Sequence, residues 1–206
     1  MKVALVGGTG GLGPGLAARL TLADVEVVIG SRSREKAERV AREVSELIGA
    51  AVKYGENPEA VRDSDVVVLT IPYEAVEPTL KSLSHILHGK TVISPIVSPN
   101  PAPGNSAAEK VRSLTPEDSK VAAALHNVGA HRLLDLQRPL DCDVLVCGED
   151  DAKKTAVELV EKIPGLRAID GGGLQDSWIP EAITHLLIRL NKRYKRKSIG
   201  IRFTGI

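Results

Sequence analysis

Short uninterrupted apolar runs alternate along this chain with stretches whose apolar residues recur every three or four positions. Val3–Val6 and the core of Asp65–Thr70 are of the first kind, and a run without polar alternation suits a parallel strand buried on both faces. The second kind is clearest at Ala37, Val40, Ala41, Val44, Leu47 and Ile48, one stripe of a helix over 33–48 that Gly49 ends. Read in order, the pattern predicts strands at 3–6, 26–29, 51–54, 65–70, 90–94, 119–125, 143–147 and 166–170, with a closing strand at 198–203. Between them it predicts helices from Leu12 onward and at 33–48, 73–87, 106–114, 150–162 and 176–194, plus a brief one capped by Asn57-Pro58-Glu59. This β-α repetition predicts an α/β fold with a doubly wound parallel sheet whose ligand lies beyond the strand C-termini.

The turn after the first strand carries Gly8, Gly10 and Gly13 in the pattern G-x-G-x-x-G, with a strand before it, a helix after it and a second strand following. Gly8 is expected to allow the tight turn, Gly10 to let backbone approach a pyrophosphate, and Gly13 to bring helix and sheet together. Pro14 falls in the first helical turn, where its missing donor is harmless, and the helix directs unpaired N–H groups at the phosphates. The fold is thus expected to be Rossmann-type, with residues 1–170 as the dinucleotide-binding domain and 171–206 as a small C-terminal α/β extension.

The second strand selects the dinucleotide. NAD sites place a carboxylate there for the ribose 2′-hydroxyl. This strand runs instead into Gly30-Ser31-Arg32-Ser33-Arg34 with Lys36 beyond. A hydroxyl and cations bind a 2′-phosphate through charge-assisted hydrogen bonds, which predicts NADP. Cations are also disfavoured at a helix N-terminus unless an anion sits with them.

Composition then narrows the field. The 206 residues carry a net charge of +1 with only 2% aromatics, so neither a polyanion partner nor a base-stacking surface for nucleic acid is expected. No stretch approaches a membrane span, and Met1-Lys2 leads into a strand where a signal peptide would have an apolar core. Cys142 and Cys147 lie five apart on one strand and face opposite sides, which suits small buried residues in a reducing cytoplasm.

The candidate chemistry is sparse. Ile71-Pro72-Tyr73 follows the fourth strand, where it is either an apolar wall beside a nicotinamide or simply a stiffened helix start. Pro95–Ser106, rich in proline, leaves the ligand edge as a linker or as a loop contacting the ligand. His126 follows the sixth strand and reads equally as a core histidine or a ligand-edge side chain. The cations of Asn191–Lys197 are a solvated helix end or a seat for an acidic ligand tail. There is no Ser-His-Asp set, no H-E-x-x-H and no C-x-x-C. A reaction that asks little of side chains fits best: hydride transfer between two bound cofactors, driven by positioning and exclusion of water. Two other readings share the nucleotide site, namely an NADPH-dependent reductase of another acceptor (flavin, metal chelate or imine) and a non-catalytic NADPH-binding regulatory module.

The combination of Gly7–Gly13, Gly30-Ser31-Arg32 with Lys36, Thr70–Glu74, Ser94-Pro95, Leu125–Val128, Asp141–Gly148 and the ending Asn191–Tyr194 with Gly200–Ile206 resembles the archaeal coenzyme F420-dependent NADP reductases over essentially the whole chain. The resemblance implies reversible hydride transfer between reduced F420, an 8-hydroxy-5-deazaflavin, and NADP, with segment 171–206 closing the second-cofactor cavity. By the same resemblance, Gly8, Thr9, Gly10, Gly11, Leu12 and Gly13 form the pyrophosphate turn. Ser31, Arg32 and Lys36 hold the 2′-phosphate, while Ile71, Pro72 and Ala130 lie near the nicotinamide and His126 near the deazaflavin. It also implies a homodimer.

Overall fold

A computed structural model describes all 206 residues. Six strands, β1 (Lys2–Val6), β2 (Glu26–Ser31), β3 (Lys53–Glu56), β4 (Val66–Leu69), β5 (Thr91–Ser94) and β6 (Lys120–Ala123), lie parallel in the order β3-β2-β1-β4-β5-β6. The order reverses between β1 and β4, which opens a crevice at their C-terminal ends. The apolar runs are explained by burial on both faces. Val3 and Leu5 join one core with helices α1 (Gly13–Leu22), α2 (Arg34–Ile48) and α7 (Asp150–Glu161). Ala4 and Val6 join the opposite core with α3 (Asn57–Arg62), α4 (Val76–Leu83) and α5 (Ala107–Leu114).

The sheet then departs from pure parallel order. Strand β7 (Cys142–Gly148) pairs antiparallel with β6, through Ala122↔Gly148 and Ala123↔Cys147 alone, and β8 (Leu166–Asp170) runs parallel to β7. The connection from β6 to β7 holds only the five-residue helix α6 (Ala130–Leu134), too short to carry the chain back along a strand, so β7 starts near the end of β6 and returns. Cys142 and Cys147 are buried in separate apolar clusters on this strand. The chain finishes with α8 (Trp178–Arg193), and no helix is long and apolar enough to cross a membrane.

Four elements differ from expectation. The third strand is Lys53–Glu56, not 51–54; this edge strand buries only Gly55, so hydrophobicity cannot mark its register, which pairing with β2 sets instead. The helix expected over 73–87 is a 3-10 turn at Tyr73–Ala75, α4, and a second 3-10 turn at Ser84–Ile86. An α-helix begun at Tyr73 would need an N–H from Pro78, whereas starting at Val76 leaves Pro78 in the first turn. The brief helix has Glu56 as its N-cap, with Asn57 and Pro58 inside it. The expected strand at 198–203 is absent. Those residues run along β7 with one backbone bond, from Asp143 N–H to the Ile201 carbonyl at 2.8 Å, and are held mainly by side chains.

Candidate active site

The turn off β1 is shaped by what cannot fit. Gly7 has a left-handed φ of +71°, and a Cβ there would lie 2.4 Å from Ile71 Cγ2, so the tight turn belongs to Gly7 and not to Gly8. Gly8 is instead pinned, its N–H donating to the carbonyls of Leu5 (3.0 Å) and Gly30 (2.8 Å). A Cβ on Gly13 would sit 2.1 Å from the Gly8 carbonyl, so α1 begins hard against the turn. Gly10 and Gly11 are different. A Cβ on Gly11 would meet nothing within 4 Å, and one on Gly10 would make only ordinary contacts at 3.4 and 3.5 Å. Packing does not require these two, and their bareness keeps the groove floor open to a ligand. The start of α1 has no side-chain cap and no acidic residue in its first turn, so its N–H groups remain available to an anion. A dinucleotide pyrophosphate fits this cradle.

The groove beside it has a volume of about 630 Å³ and runs from Thr9 and Gly10 past Ser31, Arg32, Ser33 and Lys36 to Thr70, Ile71 and Pro72. Ser31 Oγ lies 3.5 Å from Thr9 Oγ1 and accepts from the Ser33 N–H at 3.3 Å, while Ser33 Oγ caps α2 by accepting from the Lys36 N–H. The three cations of this corner divide. Arg34 turns away to Glu59 at 2.5 Å and lies over the Tyr54 ring, whereas Arg32 and Lys36 are exposed, line the groove and pair with no carboxylate. Two free cations and a hydroxyl are the groups a phosphate monoester would use.

Asn57 was not singled out by its sequence context, where it reads as a helix cap. It is buried, and its Oδ1 accepts from the Gly7 N–H at 3.1 Å, which ties the glycine turn to the β3–α3 junction. Thr70 closes the fork between β1 and β4 by donating twice to the Val6 carbonyl, from backbone and side chain, at 2.9 Å each.

A second depression of about 400 Å³ continues from the first and shares Gly10, Thr70, Ile71 and Pro72 with it. Gly11 and Leu12 line it on one side, and Tyr73, Pro95, Ile96 and Val97 on the other. Its walls are largely apolar, as an aromatic ring system requires. The Lys110 ammonium sits 4.4 Å from the Tyr73 ring centroid and holds that ring in place.

Neither His126 nor Ala130 lines either depression. His126 is 7% exposed, both ring nitrogens lack partners, and burial pushes its pKa down to about 3, so the ring is neutral. It follows Leu125, a non-glycine residue at φ +67°. Ala130 opens α6, which packs on α1 so tightly that a Cβ on Gly15 would lie 2.4 Å from Leu133 Cβ. The Arg19 side chain, 6% exposed, donates to the carbonyls of Leu133, Arg132, Asp135 and Arg138 at 2.6–3.1 Å, binding α1 to this segment. Burial raises both cysteine thiols, Cys147 to about 12, which keeps them protonated. The cations from Lys192 to Lys197 are exposed at the end of α8.

Known proteins with this constellation are specific in kind. The family model for NADP oxidoreductase coenzyme F420-dependent matches residues 2–98. The F420-dependent NADP reductase of Methanocaldococcus jannaschii is 44% identical over 100% of this chain and 99% of its own length. That of Methanothermobacter thermautotrophicus is 41% identical over 100% and 96%. A crystal structure from Arthrobacter sp. FB24, described as a putative F420-dependent NADP-reductase, superposes with a TM-score of 0.85 at 21% identity, covering 99% of each chain, and so shares the fold. With full-length identity above 40% to two such enzymes, the chain belongs to the F420-dependent NADP reductase family.

Proposed function

We propose that the protein catalyses reversible hydride transfer between coenzyme F420 and NADP. The observation that carries this reading is the pair of adjoining depressions with one shared floor, Thr70-Ile71-Pro72, in a chain that matches enzymes of that name end to end. When both cofactors are bound, a hydride passes directly between nicotinamide C4 and deazaflavin C5. Ser31, Arg32 and Lys36 hold the 2′-phosphate; Thr9, Gly10, Gly11 and Leu12 receive the pyrophosphate at the start of α1, with Gly8 and Gly13 shaping the turn. Ile71 and Pro72 form the floor at the nicotinamide end and exclude water there, with Ala130 on the α6 side.

Tyr73 and Pro95–Val97 face the second ring. His126, buried, neutral and outside both depressions, would meet the deazaflavin only if the 125–130 segment opened toward the second one, and it exchanges no proton there. Residues 1–170 make the nucleotide domain and 171–206 brace the far side of the second cavity, and the active species is a homodimer. No acid or base lines the second depression, so the one proton that accompanies reduction of the deazaflavin exchanges with solvent, and rate comes from alignment and exclusion of water from the hydride path. Purified protein mixed with NADPH and oxidised F420 should bleach the deazaflavin's visible absorbance. Tight NADPH binding without that bleaching removes the assignment.

A further inference from the structure

Glu181, on α8, is a carboxylate with no exposure and no cation within ion-pair distance. It accepts instead from three backbone N–H groups: Ser98 at 2.8 Å, Ala107 at 2.9 and 3.1 Å, and Ala108 at 3.4 Å. Burying an unpaired charge is costly, and burial does push this carboxyl above its ordinary range while the three donors pull it back. Two of those donors, Ala107 and Ala108 N–H, are first-turn groups of α5 that need an acceptor, but the bond to Ser98 is not explained by the needs of α5. That helix already has its own cap, Ser106 Oγ accepting from the Glu109 N–H while Glu109 accepts from the Ser106 N–H. What Glu181 adds is a join between the two ends of one loop. Ser98 opens the proline-rich segment and Ala107 closes it, with 99–105 almost wholly exposed between them. One turn further along α8, His185 Nε2 meets the Ser98 carbonyl at 2.8 Å, and Ser177 Oγ meets Ser106 Oγ at 2.7 Å. Ser98 directly follows Pro95–Val97, the wall of the second depression.

We propose that Glu181 is a positioning residue: by stapling Ser98 to the start of α5 it fixes the Pro95–Val97 wall beside the Ile71–Pro72 floor and across from Gly11–Leu12, and so sets the width of the second substrate's site. This rests on the reading that the second depression receives the hydride partner of NADP. The C-terminal helix therefore acts on that substrate without touching it.

The test is Glu181→Gln, nearly the same in shape but carrying an amide that turns a donor toward three donors. Hydrogen exchange at Ser98, Ala107 and Ala108 should quicken at least about tenfold, while Leu5 and Ser31 keep wild-type protection. The KM for F420 should rise about tenfold, with the NADPH KM within about twofold of wild type. Exchange unchanged at the three amides overturns the staple. Both KM values rising together with a general fall in protection overturns the positioning role, since it marks plain destabilisation. If wild-type protein reduces some acceptor other than F420, the function above is what fails, and the KM split is then read with that acceptor. Should the Gln variant not fold, His185→Ala removes only the Ser98 carbonyl contact and should shift the same KM about threefold; no shift overturns the proposal.

Discussion

The turn region around β1 and the C-terminal half of the chain are held by different means. At the nucleotide end the contacts are made by backbone and small side chains: Gly8 to Leu5 and Gly30, Gly7 to Asn57, Thr9 to Ser31, Thr70 to Val6. In the C-terminal half long side chains reach across the sequence to buried sites, Glu181 to Ser98 and Ala107, Arg202 and Arg167 to Asp143, while Arg19 of α1 is received by the 132–138 carbonyls. A site made of main chain is fixed as soon as the sheet forms. A site made of buried ions depends on elements that arrive from far away, and each ion can be altered singly. The turn region is thus the constant end of the design and the C-terminal half the adjustable end.

The sharpest way to break this contrast lies in the glycine turn. Gly13→Val drives a side chain into the Gly8 backbone and should reduce NADPH affinity by more than about a hundredfold, read by calorimetric titration. Gly11→Ala, with nothing near its Cβ, should leave the melting temperature within about a degree or two of wild type. An equal loss of stability in both variants would show that the turn is not selective in the way described.

The adjustable end answers to acid. Asp143 has a fully buried side chain, and the Arg167 guanidinium beside it, helped by the Phe203 N–H and Arg202, holds its carboxyl far below the usual range. Asp143→Asn should cost roughly 2–4 kcal/mol, toward the low side because both arginines reach solvent. A depressed carboxylate contributes stability above its unfolded value, near pH 4, and loses it as pH falls toward the folded value. Wild-type stability should therefore drop steeply below about pH 4, and the variant should lack that limb. A one-proton fall of the same slope, from about pH 6.5 to pH 3, should remain in both, because the unfolded chain takes up a proton at His126 that the fold refuses down to about 3. Thermal melts across pH settle the point, and identical acid limbs would refute the role of Asp143.

The smallest effect tunes the constant end. Arg32→Asp removes one charge-assisted bond, worth roughly 1.5–3 kcal/mol, and should lower NADPH affinity at least about tenfold while the NADH affinity holds or improves. An unmoved NADPH-to-NADH ratio would displace the 2′-phosphate from this corner.

The same division decides what can be read from the chain alone. Strand β1, the glycine turn, and the Ser31–Arg32–Lys36 corner are encoded within a few dozen consecutive residues, so spacing and residue type suffice for them. Even there the left-handed residue is Gly7, because its neighbour Ile71 follows β4, far along the chain, and leaves no trace near the turn. Asn57, Arg19, Glu181 and Asp143 are invisible for the same reason: a polar residue on an otherwise ordinary helix or strand does not announce a partner fifty or more positions away. The tail at 198–203 alternates like a strand, with Ile199, Ile201 and Phe203, but its alternation serves Asp143 and the side of β7 and not a ladder.

Gly15 and Arg19 make α1 and the segment 130–138 move as one body, since no side chain separates the first from Leu133 and four carbonyls grip the second. A substitution that shifts one of the two therefore shifts the other, so α1 cannot be redesigned without redesigning α6.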